Sequence, residues 1–432
     1  MEKIRIGLLG LGQVGGGVYS LLTRKKAYFE REVGVSFEIR KVAVRNLSKK
    51  RPVKIPKSLL TTNPLEVVED PSVDVVVELI GGTTDAAKLI KKALQAGKHV
   101  VTANKALLAE RGDEIFELAG KLNRWVFFEA SVGGGIPIIK TLREGLVANR
   151  LESLHAIING TCNYILSKMT SEKTDFAVAL REAQQKGYAE PDPTLDVDGS
   201  DAAHKLAVLV RFGFGGRIRY KDIYKEGIRS ISAEDIAFAD EFGYRIKLLA
   251  IAKNGGKVVE ARVQPSLLPK DHILANVNGS FNAILLHGDH VGDVLLYGRG
   301  AGSFPTASAV VSDLTDLARR FSSMNESDAF LMRANAQRLK VKSISQVLTR
   351  YYLRFHVLDR PGVLAMISKV LGSHGISISD CVQKERRHGG VVPLIMLTHG
   401  ANEKDVRNAV RSIDRLKFVR GKSQVIRIEG DN

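Results

Sequence analysis

The chain has 432 residues, of which 44% are hydrophobic and 26% are charged, a mixture typical of a soluble globular protein of about two to four domains. Its formal charge is +17, but the basic residues are spread along the chain, so we expect a solvated basic surface, with no nucleic acid and no membrane as partner. Only two cysteines occur, which excludes a disulfide framework and is typical of a cytoplasmic protein. No apolar run approaches the roughly 20 residues that a membrane helix needs.

The N-terminus predicts a strand, a glycine turn and a helix. Lys3 to Leu9 is apolar like a buried strand, and Gly10-Leu11-Gly12-Gln13-Val14-Gly15 follows it; these glycines interrupt any signal-peptide core. In such a G-x-G-x-x-G turn Gly10 permits the tight bend, Gly12 admits a pyrophosphate, and Gly15 lets the helix pack on the strand. The helix N-terminus at Gln13 and Val14 offers N–H groups to phosphates. We therefore predict a Rossmann-type nucleotide-binding domain over residues 1–135.

The second predicted strand, residues 37–44, ends at Arg45 rather than at an acidic residue. A carboxylate at this position binds the ribose 2′-hydroxyl of NAD, whereas a guanidinium suits a 2′-phosphate. The sequence thus predicts that NADP is accepted at least as well as NAD.

Further strands and helices alternate, which predicts a parallel sheet with helices on both faces. The strand at 73–80 is followed by Gly81, Gly82 and Thr83, and the strand at 99–102 by Ala103-Asn104-Lys105. Ligands of such sheets bind beyond the carboxyl ends of the strands. Thr83 and Lys105 are therefore candidates for contact with the cofactor.

The segment KGYAEPDPTLDVDGSDAAHK, residues 186–205, carries five carboxylates, a density that predicts a cationic ligand. Asp201 and Lys205 lie four residues apart on a predicted helix, so they share one face. They form either a surface ion pair or a site in which Asp201 holds a lysine that gives a proton to a developing oxyanion. Glu190, Asp196 and Asp201 together could bind a substrate ammonium group, and Tyr188 is a further candidate substrate contact. His204 is expected to pack on a different face.

Four motifs together resemble the homoserine dehydrogenase family: GLGQVGGGV at the N-terminus, TANK at 102–105, NGTCNYIL at 159–166 and the 187–205 segment. The resemblance implies reversible conversion of L-aspartate 4-semialdehyde to L-homoserine with NAD(P), in threonine, methionine and isoleucine biosynthesis. It implies that Lys205 is the proton donor and acceptor and that Lys105 touches cofactor and substrate. It also implies that Glu190 and Asp201 contact homoserine, that Asp196 supports them, and that the backbone at Gly187 and Gly302 contacts the cofactor.

The glycine-rich stretch 129–137, by itself, predicts a turn or a second backbone ligand site. The resemblance implies a structural sodium ion there. Backbone carbonyls suit such a hard cation. The implied ligands are Glu129, Val132, Gly134 and Ile136.

Residues 136–300 predict an α+β substrate and dimerisation domain, and the resemblance implies a homodimer or homotetramer. An apolar-periodic helix at 305–321 is expected to return to the nucleotide domain as part of a segment at about 300–330. A linker, 331–349, then leads to residues 350–430, whose strand and helix order βαββαβ is ferredoxin-like. The turn DRPGVL resembles an ACT domain, which implies an amino-acid effector, with threonine the first candidate.

Two other functions remain open from the residues alone. A semialdehyde dehydrogenase acting through a thiol would use Cys162. A non-enzymatic amino-acid-sensing regulator would use the positive charge to bind nucleic acid, but it leaves the acidic 190–201 cluster without a role.

Overall fold

The computed structural model describes residues 2–323, 336–383 and 390–430. The chain divides into two compact units, each made of three segments. The first comprises Met1–Leu154, Asp201–Ile223 and Phe281–Leu339, and the second His155–Ser200, Tyr224–Ser280 and Lys340–Asn432. Within the described ranges no helix is both long and apolar enough to traverse a bilayer.

The N-terminal part of the first unit alternates strands and helices as predicted. Its strands are β1 (Glu2–Leu9), β2 (Val35–Ala43), β3 (Leu60–Thr61), β4 (Val75–Glu78), β5 (His99–Thr102) and β6 (Val126–Phe127). Its helices are α1 (Gln13–Arg24), α2 (Lys26–Tyr28), α3 (Leu65–Val68), α4 (Thr84–Gln95), α5 (Lys105–Lys121) and α6 (Ile138–Lys140). Every residue of β4 and β5 is buried, as expected of central parallel strands covered on both faces.

The six strands form one parallel sheet in the order β3-β2-β1-β4-β5-β6, the order of a dinucleotide-binding fold. The carboxyl ends of β1 and β4 are neighbours at the point where the strand order reverses, which is where such sheets bind ligands. The predicted Rossmann-type fold is therefore confirmed.

The middle of the chain contributes to both units. Its strands are β7 (Leu151–Ile157), β8 (Gly216–Arg217), β9 (Tyr224–Lys225), β10 (Tyr244–Gly255), β11 (Val258–Pro269), β12 (Phe281–Gly288) and β13 (Gly292–Arg299). Its helices are α7 (Gly160–Glu172), α8 (Phe176–Gln185), α9 (Thr194–Val197), α10 (Ser200–Gly213) and α11 (Ala233–Glu241). The apolar run at 278–286 predicts a strand there, but β12 begins only at Phe281, since Gly279 has a φ of +63° and breaks the extended run.

The helix α12 (Ser303–Ser323) packs on the first sheet. Its buried Val310, Leu314 and Leu317 share one apolar core with Val18 of α1 and with the strands β1 and β4. The last residues of the expected returning segment, 324–330, and the first of the expected linker, 331–335, lie outside the described residues.

The C-terminal part of the second unit has the predicted βαββαβ order. The short strand β14 (Gln337–Arg338) precedes this part and belongs to the first unit. The second unit then continues with β15 (Lys340–Val341), β16 (Leu348–Leu358), α13 (Val363–Ser373), β17 (Ile378–Val382), β18 (Val391–Thr398), β19 (Ala401–Asn402), α14 (Glu403–Asp414) and β20 (Gln424–Ile428). The sequence predicts the second strand of this module over residues 376–384, and its last residue, Lys384, lies outside the described residues.

The second unit has a continuous sheet that joins its two halves. The long strands β10 and β11 pair antiparallel over twelve residues each. The C-terminal strands lie in the order β20-β16-β18-β17, and β20 also pairs parallel with β11 at Ser266 and Leu267. The ferredoxin-like C-terminal sheet is therefore hydrogen-bonded directly to the sheet of the middle segment.

Candidate active site

Gly10 and Gly15 of the first turn have the backbone roles that their spacing predicts. Gly10 has a φ of +98°, and a Cβ there would lie 2.9 Å from the carbonyl oxygen of Leu79. At Gly15 a Cβ would lie 2.3 Å from the carbonyl oxygen of Gly10, so only glycine lets α1 approach β1 this closely. Gly12 is different, because a Cβ there would meet open space. Its surroundings are free for a ligand at the N-terminus of α1.

Gln13 and Val14 open α1, and the loop that carries Gly302 lies against them. The Ser303 hydroxyl donates to the Gln13 carbonyl oxygen at 2.6 Å. Gly302 has a φ of +122°, a conformation reserved for glycine. The turn and the Gly302 loop thus form one surface within the first unit.

Arg45 follows β2 and is exposed, in a loop whose shape is set by another arginine. Arg51 donates to the carbonyl oxygens of Asn46 and Leu47, at 2.5 and 2.9 Å, and to that of Lys49. Arg45 is therefore the basic side chain placed directly at the carboxyl end of β2, while Arg51 has a structural role.

A carboxylate that the sequence prediction missed connects the ends of β4 and β5. Glu78 is fully buried, and its Oε1 accepts the backbone N–H groups of Ile80 and Gly81 at 2.9 and 3.0 Å. Its Oε2 accepts the Thr102 hydroxyl at 2.6 Å, and Thr102 in turn accepts the N–H of Asn104. An acidic residue in an otherwise apolar strand was the available signal.

Asn104 extends this network to the first residue of α5. Its Oδ1 caps the helix by accepting the Leu107 N–H, and its Nδ2 donates to the carbonyl oxygen of Gly82. The turn that contains Gly81, Gly82 and Thr83 and the helix that begins at Lys105 are therefore fixed to each other.

The two lysines singled out in the sequence meet on one carboxylate. Lys205 Nζ lies 2.6 Å from Asp201 Oδ2, and Lys105 Nζ lies 3.1 Å from Asp201 Oδ1. The side chains of Asp201 and Lys205 are about nine-tenths buried, at 9% and 10% exposure, whereas that of Lys105 is 43% exposed. The alternative of a surface ion pair is wrong for Asp201 and Lys205, because burial strengthens the pair and excludes water.

His204, next to Lys205 on α10, packs elsewhere, as predicted. Its ring stacks on Tyr220 with 4.0 Å between centroids, and its Nε2 lies 3.1 Å from Glu110. Burial lowers the pKa of His204.

A cavity of about 280 Å³ opens beside Glu110 and Tyr220, and its polar lining residues are Glu110, Asp113, Arg211, Arg217, Arg219, Tyr220 and Lys221.

Several carboxylates of the acidic segment accept hydrogen bonds from neutral donors within the chain. Asp192 accepts the Thr194 N–H, Asp196 accepts the Asn159 amide at 2.7 Å, and Asp198 accepts both the N–H and the hydroxyl of Ser200. The bonds of Asp192 and Asp198 are local and shape the proline-stiffened loop, whereas Asn159 reaches Asp196 from 37 positions away. Gly187, Tyr188 and Glu190 are exposed in the same segment, and Gly187 has a φ of +73°.

The glycine stretch after β6 combines backbone turns with buried acids. Glu129 Oε1 and Oε2 accept the N–H groups of Ile139 and Lys140 at the start of α6, and burial raises the pKa of Glu129 to about 7. Gly134 has a φ of +58°, and a Cβ there would lie 2.5 Å from the carbonyl oxygen of Gly300. Among the hydrogen bonds of the described residues, none ends on the carbonyl oxygens of Val132 or Gly134. The Ile136 carbonyl oxygen accepts the Ile138 N–H at 2.8 Å.

Cys162 is buried, and its Sγ lies 3.3 Å from the Asp196 carbonyl oxygen, in hydrogen-bond contact. The thiol of this NGTCNYIL helix therefore makes a structural contact with α9, which does not favour a role as a nucleophile.

Models of known families match three parts of the chain. They are the homoserine dehydrogenase NAD-binding domain over residues 10–129, homoserine dehydrogenase over 137–315 and the ACT domain over 351–418. The homoserine dehydrogenase of Synechocystis sp. is 46% identical, over 98% of this chain and 99% of its own length. That of Bacillus subtilis is 40% identical, over 100% of this chain and 99% of its own.

Solved structures agree with the sequence relatives. A homoserine dehydrogenase from Thiobacillus denitrificans superposes with a TM-score of 0.92 at 46% identity and 99% coverage of both chains. A hyperthermophilic archaeal homoserine dehydrogenase mutant in complex with NADPH gives a TM-score of 0.62 at 28% identity, with 75% of this chain and 100% of that chain covered. With a nucleotide-binding sheet, a buried lysine–aspartate pair and full-length relatives of one activity, the chain belongs to the homoserine dehydrogenase family of oxidoreductases and ends in an ACT domain.

Proposed function

We propose that this chain interconverts L-aspartate 4-semialdehyde and L-homoserine with Lys205 as proton donor and acceptor and Lys105 beside it. The observation that carries the proposal is the shared carboxylate: Asp201 holds both ammonium groups, one on each oxygen. The bound nicotinamide supplies or accepts the hydride. The protein then has to manage the proton and the charge on the substrate oxygen.

The buried pair suits a proton transfer in either direction. During reduction negative charge grows on the aldehyde oxygen, and the Lys205 ammonium can donate a proton to it while Asp201 keeps the resulting amine in place. During oxidation the same amine takes the proton from the hydroxyl. Lys105, the more exposed of the two, is proposed to touch cofactor and substrate. Glu190, Tyr188 and, in a supporting role, Asp196 remain proposed contacts of homoserine.

Lys205→Ala tests this assignment. We expect the variant to fold and to bind NADPH but to lose about 10²- to 10⁴-fold in kcat, the usual contribution of a general acid. Turnover is measured by cofactor absorbance with homoserine, and binding by NADPH fluorescence. Lys88→Ala on α4, whose side chain is 72% exposed, is the control and should keep full turnover. A Lys205→Ala protein that turns over at the normal rate would remove Lys205 from the mechanism.

NADP is the proposed cofactor, with NAD as an accepted alternative. The open space at Gly12 and the positive φ of Gly302 support a bound dinucleotide, and the exposed Arg45 at the end of β2 supports a 2′-phosphate on it. The archaeal relative in complex with NADPH supports the same choice. Gly10, Gln13, Val14, Gly15, Thr83 and Gly187 are the other proposed backbone contacts.

Arg45→Ala should raise the KM for NADP roughly 10- to 100-fold and leave that for NAD unchanged, because a charge-assisted hydrogen bond contributes about 1.5–3 kcal/mol. Lys57→Ala, which removes an exposed positive charge farther along the same loop, is the control for general electrostatics. An unchanged ratio of the two KM values in Arg45→Ala would exclude Arg45 as the 2′-phosphate ligand.

A sodium ion is proposed at the glycine stretch, held by Glu129, Val132, Gly134 and Ile136. The available carbonyl oxygens of Val132 and Gly134 and the turn at Gly134 support it, since a hard monovalent cation takes oxygen ligands of this kind.

We also propose a homodimer or homotetramer and an amino-acid effector, with threonine the first candidate, at the ACT domain.

A further inference from the structure

The strand β9 lies between the ACT domain and the loop that precedes Asp201. It pairs with β11 through Tyr224 and Lys225, and the following Glu226 N–H donates to the Val263 carbonyl oxygen at 2.8 Å. Its contacts on both sides lie within the second unit.

One set of contacts joins this strand to the ACT domain. Glu226 Oε2 accepts Arg427 at 3.0 Å, Arg407 at 3.4 Å and the Tyr224 hydroxyl at 2.8 Å. Arg427 is fully buried on β20, and Glu403 holds it with two further hydrogen bonds. Two arginines and two glutamates thus balance each other, and the loss of one acid leaves a buried positive charge.

The other set of contacts joins it to the start of α10. Lys225 Nζ donates to Ser200 Oγ at 2.7 Å, and the Ile228 N–H donates to the Val197 carbonyl oxygen at 2.9 Å. Gly227 passes so close that a Cβ would lie 2.1 Å from that same oxygen. Ser200 is the first residue of α10 and the chain neighbour of Asp201.

We propose that Lys225 and Glu226 are positioning residues that let the ACT domain set the N-terminus of α10 and, through it, the Asp201–Lys205 pair. Arg407 and Arg427 of the ACT domain fix the position of Glu226. Its chain neighbours Lys225 and Gly227 are fixed with it, and they contact the loop 197–200. A change in the ACT domain that moves Arg407 or Arg427 would therefore shift Ser200, the residue before Asp201. This inference rests on the proposed roles of Asp201 and Lys205.

The test compares Glu226→Gln with Glu234→Gln in the full chain. Glu234 is the matched control, because it also pairs with ACT residues, Arg354 and His356, but lies on α11, outside the strand that holds the loop. Hydrogen–deuterium exchange is followed in peptides that cover 196–204, together with kcat and the KM for cofactor. We expect faster exchange there and a kcat lowered about 2- to 30-fold in Glu226→Gln, with cofactor KM unchanged, and neither effect in Glu234→Gln.

Lys225→Met keeps the test decisive if Glu226→Gln fails to fold, since Lys225 is exposed. It should speed exchange at 196–204 while the ACT peptides stay protected, and its kcat effect should not add to that of Glu226→Gln. Unchanged exchange at 196–204 in Lys225→Met, or the same response from Glu234→Gln as from Glu226→Gln, would overturn the proposal. Because exchange needs no turnover, it gives an answer even where Lys205→Ala shows that the assumed chemistry is wrong.

Discussion

Single buried side chains do much of the organising at the sheet edge, and Glu78 is the clearest case. Its two oxygens accept three hydrogen bonds from groups on two different strand ends. A buried carboxylate is tolerated only where donors surround it, and here those donors belong to the turn expected to face the cofactor and to the approach to Lys105.

Glu78→Ala should therefore weaken both cofactor binding and turnover. Each donor left unpaired costs about 1–3 kcal/mol, so we expect a higher KM for cofactor, a lower kcat and a lower unfolding midpoint in urea. Glu78→Gln should recover part of the cofactor affinity, because its amide oxygen can still accept the N–H groups of Ile80 and Gly81. Glu69→Ala, which removes an exposed carboxylate paired with Lys92, is the control. Equal kinetics in Glu78→Ala and the unmodified protein would contradict this role.

At the scale of elements, the strand β5 carries a histidine whose burial favours its neutral form in the folded protein. His99 is buried, and its Nδ1 accepts the backbone N–H of Trp125 at 3.0 Å. Its ring stacks on the Trp125 indole with 4.8 Å between the ring centroids. Burial lowers the pKa of His99 to about 4, from an ordinary value of 6.5. The unfolded chain binds this proton more readily than the folded one, so stability is complete above pH 6.5 and is lost as the pH falls towards 4.

Between pH 7.5 and pH 5 this histidine should cost about 2 kcal/mol of stability. His99→Asn, whose amide oxygen can accept the same N–H, should lose less stability than the unmodified protein over that interval. Trp125 is the only tryptophan of the sequence and is in contact with His99, so its fluorescence reports urea unfolding at each pH. His290→Asn, at an 81% exposed position, should behave like the unmodified protein. Parallel pH dependence in His99→Asn would refute the assignment.

For the whole molecule, the sequence predicted best what is local. The strand–turn–helix at Gly10 to Gly15 depends on neighbours in the chain, and the Asp201–Lys205 contact depends on helical spacing, so both were predictable. The homoserine dehydrogenase motifs, which the relatives confirm, added the activity. Composition alone could not have supplied it.

Contacts between distant segments were beyond sequence reasoning. Lys105 reaches Asp201 across 96 positions only because α5 and α10 pack together, and Glu78 meets Thr102 only because β4 and β5 are neighbours. The donors of the acidic segment were also not foreseen, since the Asn159 amide donates to Asp196 from 37 positions away. Hydrogen-bond partners of this kind are fixed by packing and not by spacing.

The hydrogen bonds between β20 and β11 bear on how this enzyme can be recombined with its relatives. A chimera whose junction falls between 340 and 348 would import a foreign equivalent of Arg427 and Glu429 opposite the native Glu226 and Arg262. Any mismatch would bury an uncompensated ion. When regulatory domains are exchanged within the family, the residues at Glu226, just after β9, and at Arg262 on β11 therefore have to be exchanged together with the domain.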